Sequence, residues 1–276
     1  MAQDGTLTSS EVISQEAVRA EVLEAVEEDL VFRQAFDEYD ATDINSDAVQ
    51  IPVADDTVPE TSTVSEGSEV ADREEELTSK VTVNTSKYMA EAALTREAIE
   101  DSILGEIERQ VNAHQESLME SLDGDAYDEL DGGISRPAVG PDSPTGSMGY
   151  EVTIDAMTAL EGDGYEPDLL IVSAQSKGDL MKDDKFTRAS EMGDEVVFNG
   201  VFGEVAGIPV AVSNVGDLGG GEGFMVDTDH FGVEVVRSDI ATREYEEESE
   251  DQVVVQIRTR RGFKALRGDA AAKIEA

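Results

Sequence analysis

The stretch TREAIEDSILGEIERQVNAHQESLMESLDG, residues 95–124, constrains the fold more than any other part of the chain. Ile99, Ile103, Ile107, Val111, His114, Leu118 and Leu122 recur at spacings of four and three, which places them on one stripe of a helix. Thr95 is suited to cap its start, and Gly124 stands where a left-handed residue ends many helices. At ~1.5 Å per residue the predicted rod is roughly 40 Å long, far beyond the average globular helix.

Strand signals flank this helix. AVQIPVADD, 48–56, alternates Val49, Ile51 and Val53, and Pro52 marks it as an exposed or edge strand. LTSKVTVNT, 77–85, alternates again. The residues between them are too polar to pack a core, so the pair predicts an extended hairpin with a long acidic tip. A projection of that length is uncommon inside a compact domain and usually functional or disordered. Upstream, Val12, Ile13, Val18, Val22, Val26 and Leu30 predict a helix over 10–36 that ends in a polar connection. Downstream, 123–149 is a Gly-, Pro- and Asp-rich loop. A helix near 153–161, the buried strand PDLLIVS and the short helix AQSKGDLMKD follow. Two or three strands then run through VVFNGVFGEVAGIPVAVSNVG, with Gly207 and Pro209 shaping the approach to the last. Beyond a Gly-rich loop at 216–223 come FMVD, VEVVRS, ATREYEE and VVVQIRTRRGFKAL, the last two predicted to form a hairpin across EESEDQ. No internal repeat is visible.

The charge is extreme. Sixty-three acidic residues face 20 basic ones, a formal net charge of −43 over 276 residues. Such a balance can mean disorder. Here the apolar residues fall in periodic blocks, and with Gly counted and Tyr omitted they make up about 46% of the chain, within the globular range. The composition therefore describes a folded body with an acidic surface, suited to concentrated salt, where charges are screened beyond ~3 Å. It resembles that of proteins from salt-accumulating halophilic archaea and their viruses.

The chain has no Cys, which excludes disulfides, thiolate catalysis and Cys-type zinc sites. The N-terminal residues lack the basic and apolar regions of a signal peptide, and the longest apolar runs fall far short of a membrane span. A soluble protein made in a cytoplasm is expected.

In their order, these pieces resemble the major capsid proteins of tailed double-stranded DNA viruses, the Hong Kong 97-type fold. The resemblance rests on PDLLIVSAQSKGDLMKDDKFTRAS and FNGVFGEVAGIPVAVSN within 167–214, on SKYMAEAALTREAIEDS at 86–102, similar to the lead-in to that family's spine helix, and on GFKALRGDAAAKI at 262–274, similar to its C-terminal strand. It implies an α+β fold with an N-terminal arm with helix (1–47), an extended hairpin loop (48–86), a peripheral domain with the spine helix (87–150), an axial domain (151–226) and returning strands of the peripheral domain (227–276). It further implies a non-enzymatic protein that assembles with itself into hexamers and pentamers, closing an icosahedral shell around packaged double-stranded DNA without sequence-specific binding. Portal, scaffold, protease and cement proteins are its implied partners, and no cofactor or metal is. An encapsulin-like cellular compartment protein of a halophilic archaeon is the alternative with the same fold. Some members of the family join subunits covalently through a loop Lys and an Asn. Here Lys80 lies at the hairpin base and no Asn follows Asn214, so that chemistry is not expected. Only some 45 residues precede the hairpin, so scaffolding is expected to come from a separate protein or to be dispensable.

Catalytic patterns are absent. GDLGGGEG lacks the Lys-Ser/Thr of a phosphate loop. DTDH and DGDAYDELD do not match a calcium loop, and no GxSxG elbow occurs. His114 and His230 are far apart in sequence and have no triad partner. One charge pattern stands out: Arg258, Arg260 and Arg261, with Lys264 and Arg267, form the most basic stretch of an acidic chain. On a regular strand Arg258 and Arg260 share one face and Arg261 lies on the other. They have three possible partners: EYEEESED, 244–251, across the hairpin; a neighbour's acidic arm; or packaged DNA. Glu60, Glu66, Glu69 and Arg73 in the hairpin tip, together with Arg258, Arg260 and Arg261, are the candidate intersubunit contacts.

Overall fold

The structure is a computed structural model that describes residues 30–44, 46, 48–54, 78–95, 105–140, 147–183, 203–213, 215–216, 218–247, 249 and 251–276. A 3-10 turn, Phe32–Ala35, leads into strand β1 (Asp37–Asp40), and a second, Gly268–Ala270, precedes the last strand. Strands β2 (Ala48–Ala54) and β3 (Thr78–Asn84) pair with each other, and β4 spans Ser86–Thr95. Helix α1 (Gly105–Gly133) is followed by α2 (Tyr150–Gly162), β5 (Leu169–Ser173) and α3 (Ala174–Lys182). Strands β6 (Glu204–Val205), β7 (Ile208–Ser213), β8 (Glu222–Val226), β9 (Gly232–Glu247), β10 (Gln252–Ala265) and β11 (Ala271–Glu275) complete the described chain.

Two sheets organise these elements. The first has the order β1-β9-β10-β4, and the second β11-β8-β5-β7-β6. Strand β5 shows why they form one body. Its five residues are all buried, and they alternate between two cores. Leu169 and Ile171 join a core with Leu118, Leu122, Ala126 and Leu130 of α1, Phe32 and Phe36 of the first turn, and Ile257 of β10. Leu170 and Val172 face a second core with Ala156 and Leu160 of α2, Leu180 of α3 and Ile274 of β11. A strand covered on both faces reads as a continuous apolar run, as LLIV does.

Several expectations are corrected. Helix α1 does not stop at Gly124 but continues to Gly133 through the stretch expected as a loop. Gly124 does not adopt a positive φ, and Ala126 and Leu130, both fully buried, extend the apolar stripe past it. Burial of that face outweighs the weak helix preference of Gly and Asp. The stripe also carries polar residues: Gln115 and Asp123 are buried, whereas His114 is only partly covered. SKYMAEAALT, the lead-in to the long helix, is strand β4, antiparallel to β10. Its alternation of Tyr88, Ala90 and Ala92 toward the core explains this.

The expected helix over 10–36 lies mostly outside the described residues. Its end is a 3-10 turn, and the polar connection expected after it is in part core. Phe32 is fully buried, and its ring meets those of Tyr127 and Phe224 edge-on at 5.1 and 6.3 Å. Phe36 contacts Phe231 and Phe263 in the same way. VEVVRS and ATREYEE form one 16-residue strand, β9, which makes the expected hairpin with β10. The final strand does not return to the sheet of β9 and β10. It adds to β8 in the second sheet, with Ala271 opposite Val226 and Ile274 opposite Gly223. Ala271, Ala272 and Ile274 are fully buried there, which is what holds it.

Candidate assembly surfaces

The hairpin arm begins at a crowded root. Val49 opposes Val83 and Ile51 opposes Val81 in the β2–β3 ladder. Val49 and Val83 pack with Val233 and Val235 of β9 in a third small core. At this root the chain passes very close to β10. A Cβ on Gly262 would lie 2.3 Å from the Asn84 carbonyl oxygen, so only Gly fits. Beside it lies a hollow of about 250 Å³ lined by Asn84, Ser86, Tyr88, Asp125, Asp128 and Glu129. The Tyr88 hydroxyl donates to Asp125, and burial first, then this carboxylate, pushes the phenol above its ordinary range. The tip residues Glu60, Glu66, Glu69 and Arg73 lie outside the described residues.

The three arginines separate. Arg261 is buried, and its guanidinium donates to Glu234 at 2.7 Å and to the Thr259 hydroxyl at 3.2 Å. Arg33, from the 3-10 turn, donates to the other oxygen of Glu234 and to Glu38. Glu234 is 1% exposed, so this is an Arg–Glu–Arg bridge inside one subunit that ties the first turn to the middle of the sheet. Arg261 is therefore not a surface contact. Arg258 is exposed and Arg260 partly so.

The register also corrects the expected pairing with 244–251. Arg258 opposes Ala241, and Arg260 opposes Ser238, well away from the hairpin turn. The ladder with β4 runs unbroken through Arg261, so alternation alone puts Arg261 on the inward face with Ile257 and Thr259, both buried; only the ladder with β9 is irregular, between Arg258 and Arg260 and between Arg260 and Arg261.

Two other links secure the layers. Glu129 of α1 accepts from Lys264 Nζ at 2.6 Å and from the Ala265 amide at 3.1 Å. Lys273 of β11 meets Asp131 at 2.7 Å; burial opposes its charge, but Asp131 and Glu275 more than offset this and raise its pKa. The first turn is capped from a distance. Asp123 Oδ1 accepts the amide hydrogens of Phe32 at 2.8 Å and Arg33 at 3.4 Å. Asp123 Oδ2 is buried without a hydrogen-bond partner among the described residues. Burial raises this carboxyl above its ordinary pKa, against the lowering effect of the backbone donors.

The outward face of the first sheet was missed by sequence reasoning. Tyr88, Ala90 and Ala92 point inward, so Lys87, Met89, Glu91 and Ala93 point outward, and all four are exposed. In register, Lys87 lies beside Arg260, Met89 beside Arg258, and Glu91 beside Gln256, which in turn lies beside Arg243. Arg243 is exposed, with its guanidinium 5.7 Å from the Tyr245 ring centroid. The alternation in 87–93 was the available signal. Among the described residues no group of three or more His, Asp or Glu side chains is placed to hold a metal ion.

A body of two sheets sharing a core, crossed by a 29-residue helix and extended by a hairpin arm, has the α+β architecture of the Hong Kong 97-type capsid fold. Residues 78–274 match the family described as "Phage capsid protein". The chain belongs to that family and is a shell-forming major capsid protein. It is similar to the capsid of the cyanophage P-SCSP1u, with 13% identity and a TM-score of 0.69, covering 90% of this chain and 88% of that one. A structure from Mycobacterium phage Che8 is similar at 15% identity and a TM-score of 0.66, covering 88% of this chain and 90% of that one. A virus-like particle from Pyrococcus furiosus is similar at 15% identity and a TM-score of 0.60, covering 94% and 98%. At these identities the likeness is one of fold. No curated protein matches the sequence.

Proposed function

We propose that this subunit forms rings of six and five that close an icosahedral shell around double-stranded DNA, in a tailed virus of a halophilic archaeon. The observation that carries the reading is the family match over 78–274, which takes in the second strand of the hairpin, the long helix, the second sheet and all of the first sheet but β1. The acidic surface supports the halophilic host, since a net charge of −43 per subunit calls for strong screening when copies lie side by side. The subunit acts by assembly and not by catalysis, and it is put together in the host cytoplasm. Portal, scaffold, protease and cement proteins are its proposed viral partners. The tip residues Glu60, Glu66, Glu69 and Arg73 lie in an arm that reaches a neighbour. Repeated heterologous contacts that close on themselves make a finite container.

The test is electron microscopy of the protein purified in about 3 M salt, combined with nuclease treatment of particles from infected cells. Closed shells holding nuclease-protected DNA are expected. Shells that enclose a cargo protein and no DNA would assign the chain to a cellular compartment, and failure to form shells would refute the assembly reading.

A further inference from the structure

Among the described elements, the chain passes three times between the first sheet with α1 and the second sheet: after α1, from β8 to β9, and from β10 to β11. The three crossings meet at one place. After α1, the Ser135 amide donates to the Gly268 carbonyl at 3.1 Å. Arg136 donates to the Asp269 carbonyl at 2.6 Å and to the Ala159 carbonyl of α2 at 3.1 Å. Between β8 and β9 lies the helical turn Thr228–Phe231. Just past β10, the Leu266 and Arg267 amides both donate to the Phe231 carbonyl, at 2.8 and 3.0 Å, and the Asp227 amide donates to the Ala270 carbonyl at 3.0 Å.

Asp227 lies at the centre of this junction, with its side chain 3% exposed. One of its oxygens accepts the Glu166 amide at 2.9 Å, from the segment that leads into β5. His230 Nδ1 lies 2.8 and 3.0 Å from the two oxygens, and the imidazole is half exposed, so protons reach it. Tyr165 meets the imidazole edge-on at 6.1 Å, and the Arg136 guanidinium lies 5.9 Å from the centre of the same Tyr ring. The other charged groups here are Asp229 on the turn, Glu166 and Asp168 before β5, Asp163, which pairs with Arg136, and Arg267 and Asp269 on the last crossing. Of all these acids and bases only Asp227 is buried.

We propose that the junction is a proton-operated clasp: with both ring nitrogens protonated, His230 pairs with buried Asp227 and tightens the three crossings, and loss of that proton loosens them. Histidine is the side chain whose charge ordinarily changes between about pH 5 and 8. A hydrogen bond from a charged donor is roughly twice as strong as a neutral one. The imidazolium also gives a buried carboxylate its counter-charge, while Arg136 is already paired with Asp163. The sign follows: the clasp is tight at acid pH and loosens as pH rises. Loosening frees the two sheets to tilt about the place where all three crossings are tied. The clasp is independent of the shell-forming reading and of what a shell encloses.

The test is hydrogen exchange, read by mass spectrometry on the full-length protein in about 3 M salt at about pH 5 and about pH 8, with rates corrected for the intrinsic effect of pH. Peptides carrying the amides of Glu166, Asp227, Leu266 and Arg267 report on the clasp. A peptide carrying Ile257, buried in β10, reports any effect of pH on the subunit as a whole. Relative to Ile257, protection at the clasp should be about fivefold higher at the lower pH, the difference between a charged and a neutral hydrogen bond. His230→Gln should erase this excess, and His114→Gln, which removes the other His, should keep it. A pH response no larger at the clasp than at Ile257, an excess that survives His230→Gln, or one that vanishes in His114→Gln would each overturn the proposal. None of these readouts requires a shell, so their failure leaves the assembly reading standing.

Discussion

Asp123 offers the sharpest test of how the N-terminal turn is held. Replacing it with Ala removes the acceptor for the buried Phe32 amide, and for the more weakly bonded amide of Arg33. A buried donor left without a partner costs roughly 1–3 kcal/mol, so Asp123→Ala should lose about 2 kcal/mol of unfolding free energy. Asp123→Asn keeps an oxygen acceptor and removes a charge that burial disfavours, so it should lose less. The pH dependence has a definite sign. Burial raises this carboxyl in the folded state. Its stabilising contribution is therefore complete below the ordinary value of about 4 and is lost as pH rises through the folded value. Relative to Asp123→Asn, the wild type should weaken as pH climbs from about 4. Urea unfolding at constant high salt, followed by circular dichroism at a series of pH values, measures both effects. If Asp123→Ala costs no more than Glu120→Ala at an exposed site on the same helix, or if the wild-type and Asn curves run parallel across pH, the capping account is refuted.

Phe32→Ala empties a fully buried ring site and should cost about 3–5 kcal/mol in the same assay. Glu234→Gln removes the buried counter-charge that Arg261 meets at 2.7 Å, leaving only Asp239 at 3.8 Å, and should cost about 3 kcal/mol, with little relief from added salt because the pair is buried. Exchanging residues 57–76 for a short Gly-Ser turn should preserve the subunit's circular dichroism and prevent stable shells, scored by sedimentation. Dialysis of shells from about 3 M to about 0.1 M salt should loosen them before the subunits unfold, because the Debye length grows from below ~3 Å to ~10 Å; light scattering and circular dichroism separate the two events.

Much of the fold was legible because local pattern and burial agree. LLIVS has no polar residue to place outward until its last position, and it is buried on both sides. Val49, Ile51, Val81 and Val83 alternate, and they pair as alternation predicts. The failures share a physical cause, tertiary burial overriding local preference. Gly124 and its neighbouring acids look like a helix end, yet Ala126 and Leu130 are drawn into the core and keep the helix going. KYMAEAAL has strong helix formers, but β10 offers a complete ladder for it. The basic face was half visible. Arg258 and Arg260 stood out as a cluster, whereas Lys87 and Arg243 join them only through pairings across three strands. Alternation gave the side of Arg261, opposite Arg258 and Arg260, but its partner Glu234 lies 27 residues away and no local spacing encodes it.

The placement of β11 has a consequence for synthesis. The second sheet acquires its outer strand from residues 271–275, which are made after every other strand of that sheet. The first sheet waits almost as long, since Asp37 of β1 pairs with Val233 of β9, and β4 has its partner only in β10. A ribosome-bound chain that lacks these segments holds strands without mates and presents no finished face to another copy. Long-range pairing makes folding slow. It also means that a nascent chain that has not yet reached β11 has no finished second sheet to offer a growing shell.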